Sequence, residues 1–330
     1  DQALQQSVAA HREGRFEEAE KLYKSILNSW PQHPDANHNL GILAVDVGKV
    51  RESLPYFKAA LKANPGIKQF WLSYIDALVK LGHFESAKAL LQRGKEAGLK
   101  NDIVEQLKKR LDTARETDDS LQDQLKALLN LYNRRQFKTA LAKGITLISQ
   151  FPSNPVIPNI LGAIYAALEQ YEEAIAHYNK AIELKPDSAE AYNNLGALFR
   201  KTNEYEKAIT NYNKAIELKP ESAEAYNNLG NIYNLVSRAD DAVASYSRAI
   251  ELNPDYTEAY NGLGAALNEL GRYEEAITHY SKAIRLDPKA FLPRLASSFI
   301  LQKLGNYSRA IEILSIDAKN NIFFDQAQRQ

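Results

Sequence analysis

The sequence repeats itself with a period of 34 residues. Five prolines mark the period, each 34 residues after the one before: Pro152, Pro186, Pro220, Pro254 and Pro288. Two central units are nearly identical in sequence: YNKAIELKPDSAEAYNNLG from Tyr178 is followed by YNKAIELKPESAEAYNNLG from Tyr212. A fixed period of this length predicts an array of stacked units, in place of the two or three separate domains expected from 330 residues.

Each unit has the pattern of two amphipathic helices. In the unit that starts at Ala189, the apolar face is formed by Tyr192, Gly196 and Phe199 in the first helix and by Ala208, Tyr212 and Ala215 in the second. The small Gly196 and Ala208 allow the two helix axes to approach closely, while the rings fill the space around the crossing. One helix pair cannot bury both of its faces, so neighbouring pairs must stack. Asp187, three residues before Glu190, predicts a capped helix start.

This unit resembles the tetratricopeptide repeat (TPR), a helix–turn–helix module of the same length. With Ala189 as position 1, eight positions carry residues typical of that family: Tyr192 at 4, Gly196 at 8, Phe199 at 11, Tyr205 at 17, Ala208 at 20, Tyr212 at 24, Ala215 at 27 and Pro220 at 32. The resemblance extends over roughly nine tenths of the chain. It implies an all-α fold, a TPR superhelix (α-solenoid) of about nine repeats.

Position 17, which opens each second helix, sets the division of the chain. Three units carry Phe16, Val50 and Phe84 there, and six more carry Phe137, Tyr171, Tyr205, Ala239, Tyr273 and Tyr307. The step from Phe84 to Phe137 is 53 residues, one period of 34 and an insertion of 19. We therefore expect repeats 1 to 3 in 1–101, an inserted segment in 102–120, and repeats 4 to 9 with the C-terminal end in 121–330.

The inserted segment allows two interpretations. Ile103, Leu107 and Leu111, spaced by four, predict a short amphipathic helix that caps the third repeat. The polar run DTARETDDS from Asp112 then predicts an exposed joint. The alternative is an extra helix packed rigidly into one continuous array.

At the C-terminal end, Asp317 at position 27 of the ninth unit predicts that the array terminates there. The sequence assigns no partner to Ile322, Phe323 and Phe324.

Composition and motifs exclude several function classes. Lysine plus arginine (41) equals aspartate plus glutamate (41), so no net charge attracts nucleic acid. The chain has no cysteine, and its six histidines include no pair at the i, i+4 spacing of a helical zinc site. No glycine-rich phosphate loop and no nucleophile elbow occur. We therefore expect a chain that is not an enzyme and needs neither a metal nor a cofactor.

The sequence gives weaker indications of its location and completeness. No apolar run reaches the roughly 18 residues of a membrane-spanning helix, and the first residues are too charged for a secretory signal. We therefore expect no direct membrane insertion and a cytoplasmic location. Because the chain starts at Asp1 and contains no methionine, we expect it to be part of a longer protein.

The resemblance also implies a binding surface. In the family, positions 2, 5, 6, 9, 12 and 13 of the first helices point into a concave groove. Here those positions are rich in amides and carry two cations: Asn193, Asn194, Asn227, Asn228, Asn231, Asn234, Asn261, Asn268, Arg200 and Lys201. An asparagine amide can pair with both polar groups of a peptide unit, so this stripe predicts an extended-peptide site led by Asn194, Asn228, Asn231 and Asn234. The alternative is that position-5 amides only cap or hydrate the helix surface.

These observations lead to a main functional hypothesis and two others. The main hypothesis is a non-catalytic scaffold that binds an extended peptide or a partner protein in the groove. The amide stripe also resembles the TPR arm of O-linked N-acetylglucosamine transferases, which implies the recognition arm of a larger glycosyltransferase or related group transferase. Chaperone-tail capture is disfavoured because position 2 is acidic, at Glu190, Glu224 and Glu258. Self-association through exposed block ends, giving a homo-oligomer, is compatible with either hypothesis.

Overall fold

The computed structural model describes residues 2–314, which form helices joined by short turns and contain no strand. The helices are α1 (Gln2–Arg12), α2 (Phe16–Ser29), α3 (Pro34–Asp46), α4 (Val50–Ala63), α5 (Lys68–Lys80), α6 (Phe84–Glu96), α7 (Asn101–Asn133), α8 (Phe137–Gln150), α9 (Val156–Ala167), α10 (Tyr171–Leu184), α11 (Ala189–Lys201), α12 (Tyr205–Leu218), α13 (Ala223–Leu235), α14 (Ala239–Leu252), α15 (Thr257–Glu269), α16 (Tyr273–Leu286) and α17 (Phe291–Lys303). Residues 307–314 are also helical. The all-α fold and the helix register predicted from the period are confirmed.

The chain divides into two compact units, Asp1–Lys126 and Ala127–Gln330. In the first unit, α1 with α2, α3 with α4 and α5 with α6 form repeats 1 to 3. The start of α7 packs on the third of these, because Ile103, Leu107 and Leu111 are buried in one cluster with Phe70 and Trp71. The predicted capping of the third repeat by an amphipathic helix is therefore confirmed.

The second unit holds the amide-rich repeats. Here α9 with α10, α11 with α12, α13 with α14 and α15 with α16 form repeats 5 to 8. Successive first helices, α9, α11, α13, α15 and α17, contact one another, whereas the described second helices α10, α12, α14 and α16 do not. First helices that lie closer together than second helices give the stack a curvature with the first helices on its inner side. We call the surface of α9, α11, α13 and α15 on this side the inner face.

A glycine at position 8 packs against the ring at position 24 in each central repeat. A Cβ built on Gly196 would lie 2.9 Å from a ring carbon of Tyr212, and one on Gly230 would lie 2.8 Å from a ring carbon of Tyr246. Both tyrosines are buried, so their rings have no room to retreat. The predicted close crossing is therefore present, and it is the tyrosine ring that requires the glycine.

One predicted cap is wrong. Ser188, not Asp187, is the N-cap residue of α11, and its Oγ accepts a hydrogen bond from the backbone N–H of Ala191 at 3.4 Å. Ser222 makes the equivalent bond to Ala225 in α13. An aspartate or a serine side chain can accept a hydrogen bond from an unpaired N–H of the first turn. The residue directly before the helix takes this role, and that residue is Ser188.

The inserted segment is helical throughout. Residues 112–120, expected to form a joint if the segment is not one helix, lie inside the 33-residue helix α7. The polar run has no glycine or proline to break the helix, and the buried stripe that ends at Leu111 resumes at Leu121 and Leu125. Arg115 pairs with Glu85 at 3.2 Å on the exposed side of the run. The local structure therefore agrees with the extra-helix alternative, and the two compact units divide at 126/127, inside α7.

Two further predictions concern the C-terminal end of the array and membrane insertion. Asp317, Ile322, Phe323 and Phe324, on which the predicted array end depends, lie outside the described residues. Among residues 2–314, no helix has both the length and the apolar character needed to cross a membrane.

Candidate functional site

The amides predicted to line the groove bond to one another across repeat boundaries. Asn194 on α11 donates from Nδ2 to Oδ1 of Asn159 on α9 at 3.1 Å. Asn159 in turn donates from its own Nδ2 to Oε1 of Glu190 at 2.8 Å. A buried position-5 amide is thus held by the position-6 amide and the position-2 carboxylate of the next repeat.

The same arrangement recurs one repeat later. Asn228 on α13 donates to Oδ1 of Asn193 at 3.2 Å, and Asn193 donates to Oε1 of Glu224 at 2.9 Å. We call these six residues the amide ladder: Asn159, Glu190, Asn194, Asn193, Glu224 and Asn228. It links repeats 5, 6 and 7 along the inner face. Each rung, the three residues joined across one repeat boundary, contains one hydrogen bond to a charged acceptor, the carboxylate of Glu190 or of Glu224.

Burial separates the two kinds of amide in the ladder. Asn159 and Asn193, at position 5, are 7% and 9% exposed, whereas Asn194 and Asn228, at position 6, are half-buried. Inside the fold, Asn159 and Asn193 each bond to the position-6 amide and the position-2 carboxylate of the next repeat. The position-6 amides are fixed by one hydrogen bond and still present part of their surface at the inner face.

Asn231 and Asn234, the other two leading candidates, hold a buried tyrosine hydroxyl. The Tyr246 hydroxyl donates to Oδ1 of Asn231 at 2.8 Å and accepts from Nδ2 of Asn234 at 3.2 Å. Nδ2 of Asn234 also lies 3.4 Å from the carbonyl oxygen of Gly262. Burial raises the pKa of Tyr246 well above its usual range, and the Asn234 N–H opposes that shift. Both amides therefore hold the Tyr246 hydroxyl within repeat 7, and Asn234 also contacts repeat 8.

The ladder is broken at repeat 8. Position 6 there is Gly262, and a Cβ on it would overlap the Tyr246 ring, so that ring occupies the place of an amide. Asn227, the position-5 residue below it, is 5% exposed, and its Oδ1 has no hydrogen-bond partner among the described residues. The repeat that departs from the NNLG pattern therefore leaves a buried acceptor unsatisfied.

The remaining predicted residues lie around the ladder. Arg200 is exposed, and its cation opposes the effect of burial, which raises the pKa of Tyr212 to about 12. Lys201 places Nζ 3.4 Å from the Ala166 carbonyl oxygen and 5.2 Å from the centre of the Tyr171 ring. Asn261 is half-buried beside the broken rung, and Asn268 is exposed near the end of α15.

A cavity of about 510 Å³ opens at the broken rung. It is bounded by α13, α15, the turn before α17 and the first residues of α17, and its wall includes Asn227, Asn231, Glu258, Gly262, Asp287 and Phe291. This size falls in the range of about 300 to 1,000 Å³ that is typical of ligand pockets. Among residues 2–314, no group of three or more His, Cys, Asp or Glu side chains could hold a metal ion.

Sequence reasoning missed two parts of this site. Asn159 lies one repeat before the predicted stripe of repeats 6 to 8, although it holds the same position 5 as Asn193. The sequence does not assign Glu190 and Glu224 to the site, whereas both carboxylates accept amide hydrogen bonds there. The spacings of 31 residues (Asn to Glu) and 35 residues (Asn to Asn) recur in the sequence and were available as signals.

Family models for the repeat match three stretches of the chain. A model described as "TPR repeat" matches residues 162–202 and 198–235. Two models described as "Tetratricopeptide repeat" match residues 236–291 and 44–111. Together these stretches include the whole amide ladder except Asn159, and more than half of the chain.

Individual relatives match the repeats more locally. Regulatory protein RapD of Bacillus subtilis (strain 168) is 37% identical over 102 residues, which are 27% of this chain and 29% of that protein. The chain therefore spans less than a third of the length of this curated relative.

Solved structures show the same fold. That of Pseudomonas aeruginosa pilF matches with a TM-score of 0.56 at 16% identity, over 64% of this chain and 98% of that one. The TPR domain of P58(IPK) matches with a TM-score of 0.50 at 14% identity, over 100% and 99%. At such identities the likeness shows the fold alone.

Proposed function

Since the chain is built from tetratricopeptide repeats, we propose that it is a non-catalytic scaffold that binds an extended peptide segment of a partner protein along the inner face of repeats 5 to 8. The amide ladder is the observation that carries this proposal. Curved repeat arrays offer extended surfaces of this kind to their partners. A row of amides can satisfy the backbone of a peptide without requiring a particular side-chain sequence.

The ladder orders the two position-6 amides, Asn194 and Asn228, before a ligand binds. Nδ2 of Asn194 and Nδ2 of Asn228 are each tied to the amide of the preceding repeat, which fixes the plane of the side chain. A side chain that is already ordered loses less conformational entropy when a ligand binds. We therefore assign the first peptide contacts to Asn194 and Asn228.

The spacing of the first helices suits an extended chain. Packed helices lie about 8 to 10 Å apart, and an extended backbone advances about 3.3 Å per residue. Equivalent amides on successive first helices are then about three peptide residues apart. Asn231, Asn261 and Asn268 continue the surface into repeats 7 and 8, with Arg200 and Lys201 beside it.

The proposal is tested by titrating peptides into the full chain. A library of terminally blocked, uncharged nonapeptides is screened, and its tightest members are measured by calorimetry against the wild type and the Asn194→Ala, Asn228→Ala double variant. We expect the double variant to weaken binding by about tenfold or more, since each lost peptide hydrogen bond costs on the order of 1 kcal/mol.

A matched control tests whether binding depends on the amides of the inner face or on exposed amides in general. Asn179 and Asn213 occupy equivalent, exposed positions on the second helices α10 and α12. The Asn179→Ala, Asn213→Ala variant should bind the same peptides as tightly as the wild type. Equal affinity of the ladder variant and this control would refute the inner-face site.

The alternative of a recognition arm within a larger glycosyltransferase rests on the sequence resemblance alone, and no observation in the structure favours it. Self-association is likewise a prediction only. Light scattering of the wild type over a range of concentrations, with and without the tightest peptide, measures it directly.

A further inference from the structure

A second surface lies on the first compact unit, on the side of its second helices. The helix α5 contacts both α4 and α6, whereas α4 and α6 do not contact each other. The space between them is a cavity of about 810 Å³ in repeats 2 and 3. We call this cavity the outer groove. It belongs to a different compact unit from the amide ladder and shares no residue with it.

The floor of the outer groove is apolar. Trp71 is 3% exposed, and its Nε1–H donates to the carbonyl oxygen of Pro65 at 2.8 Å, so the polar atom of the indole is already paired. Leu61, Leu78 and Leu90 are buried around the groove. None of these large side chains protrudes from the surface. The groove therefore receives an apolar side chain from a ligand, since it has none of its own to insert into one.

The rim of the outer groove is basic. Lys58 and Lys62 of α4 and Arg93 of α6 are exposed and line it, as does His83, and no described carboxylate does. The ion pairs within residues 2–126 do not involve Lys58, Lys62 or Arg93. Cations on both sides of one groove, without carboxylates between them, attract an anionic ligand.

The carboxylates of the three surrounding helices interact with other partners. Those helices contain Glu52, Asp76, Glu85 and Glu96. Asp76 pairs with Arg110 at 3.0 Å and Glu85 with Arg115 at 3.2 Å, so both face α7. Glu96 accepts a hydrogen bond from Gln92 at 2.9 Å, and Glu52 interacts with Lys24 of α2. None of them lines the outer groove, so the charge of its rim is not offset there.

The central repeats carry different residues at the same positions. Position 29 is Lys62 in repeat 2, whereas repeats 5 to 7 have Glu183, Glu217 and Glu251. Each of these glutamates pairs with a cation three residues earlier, at Lys180, Lys214 and Arg248. Position 25 is Lys58 in repeat 2, whereas repeats 5 to 7 have Asn179, Asn213 and Ser247. The basic rim therefore does not follow from the repeat pattern.

We propose that the outer groove binds an acidic peptide segment of a partner protein. One apolar side chain of the segment packs on the floor, and its carboxylates lie at Lys58, Lys62 and Arg93. A concave apolar floor fits a protruding side chain, whereas binding to a membrane surface requires apolar side chains that protrude from the protein. Basic and acidic residues are equal in number, 41 each, which disfavours nucleic acid. This site goes beyond the inner-face scaffold and does not depend on it.

Tryptophan fluorescence reports on the groove. The chain has two tryptophans, and Trp30 is 56% exposed and does not line the groove. In the full chain with Trp30→Phe, all tryptophan emission therefore comes from Trp71. Blocked hexapeptides with a central leucine or phenylalanine, flanked by glutamates, are titrated at low ionic strength, because salt screens exposed charges. Each peptide is compared with a counterpart in which glutamine replaces every glutamate.

The proposal predicts both a spectral change and a charge preference. We expect the tightest acidic peptide to change the emission of Trp71, and its glutamine counterpart to bind about tenfold more weakly or not at all. Equal affinity of the two peptides would overturn the proposal. So would unchanged emission with every acidic peptide.

Charge-removing variants locate the binding. In Lys58→Gln, Lys62→Gln, the acidic peptide should bind about tenfold more weakly. The matched control is Lys88→Gln, Lys95→Gln, which removes two exposed lysines of α6 that do not line the groove. Both variants change the net charge equally, so a general attraction to anions would weaken to the same extent in both. Wild-type affinity in the first variant, or equal loss in both, contradicts the assignment.

Two other anionic partners are tested with the same variants. Vesicles that contain phosphatidylserine and a single-stranded oligothymidylate should show no binding that depends on Lys58 and Lys62. Such binding by either of them, without binding of an acidic peptide, would overturn the assigned partner. The Asn194→Ala, Asn228→Ala variant should bind the acidic peptide as tightly as the wild type, because the two surfaces share no residue. The outer groove and the inner face are therefore tested independently.

Discussion

Asn193 accepts a hydrogen bond at 3.2 Å from Asn228, a residue 35 positions later in the chain. The bond joins two neighbouring repeats, and its acceptor is a buried side chain whose own N–H groups are directed to Glu224. Side chains predicted to contact a ligand thus hold neighbouring repeats together, and experiment can separate this structural role from the proposed binding role.

Substitution of the buried amide should affect stability more than substitution of the half-buried one. Asn193→Ala removes two hydrogen bonds and leaves Nδ2 of Asn228 without its acceptor, so we expect a loss of about 1 to 3 kcal/mol in the free energy of unfolding. Asn194→Ala removes one hydrogen bond, to Oδ1 of the buried Asn159, and should cost less, about 1 kcal/mol. Urea unfolding of both variants checks the order, and a larger loss in Asn194→Ala would contradict it.

Two buried tyrosine hydroxyls should respond differently to removal. Tyr246→Phe leaves Asn231 and Asn234 without the hydroxyl that pairs them, and should destabilise the protein by about 1 to 3 kcal/mol. Tyr23→Phe removes a buried hydroxyl that has no hydrogen-bond partner among the described residues, and should be neutral or stabilising. Thermal unfolding of both variants measures the contrast. Similar losses would show that burial alone, not the amide pair, sets the effect.

The repeat register predicts where added volume is tolerated. Ala208 is fully buried at the crossing of α11 and α12, so Ala208→Leu should cost about 1 to 3 kcal/mol. Its neighbour Lys207 is exposed, and Lys207→Leu should change stability by less than about 0.5 kcal/mol. Urea midpoints that coincide for the two variants would show that the register is misplaced.

Stability should fall in alkali because several tyrosines are buried in neutral form. Burial raises the pKa of Tyr23, Tyr212 and Tyr280 from 10.0 to about 12. The unfolded chain therefore loses these protons first, so the stabilisation is complete below pH 10 and is lost as the pH rises from 10 to 12. Urea midpoints measured across that window should decline, while tyrosinate absorption recorded in parallel should rise over the same range. A midpoint independent of pH up to 12 would exclude this linkage.

The polar run of α7 should show intermediate protection from hydrogen exchange. Residues 114–119 are helical but largely exposed between the buried Leu111 and Leu121, so their local opening costs less than that of buried helices. We expect their amides to exchange more slowly than those of an exposed turn and faster than those of Ala208 to Ala215. Unprotected amides, together with first cleavage by trypsin at Arg115, would support the joint.

The helical repeats could be predicted from the sequence, whereas the hydrogen bonds between side chains of neighbouring repeats could not. The period and the Gly196–Tyr212 pairing follow from volume and helical spacing, which one sequence displays directly. The Asn193–Asn228 bond depends on side-chain rotamers across a repeat boundary, which no period specifies. The break at Gly262 was visible as YNGLG beside YNNLG, but its consequence for Asn227 required the position of the Tyr246 ring. The run from Asp112 suggested a joint because of its polarity, although a helix needs only the absence of breaking residues to continue.

The central claim is that the position-6 amides of the inner face contact the backbone of an extended peptide. A co-crystal structure of the full chain with the tightest library peptide tests it most directly. The claim predicts peptide N–H or C=O groups within hydrogen-bond distance of the side chains of Asn194 and Asn228. A peptide seated on the second helices, or bound to the first helices without contact to either amide, would contradict it.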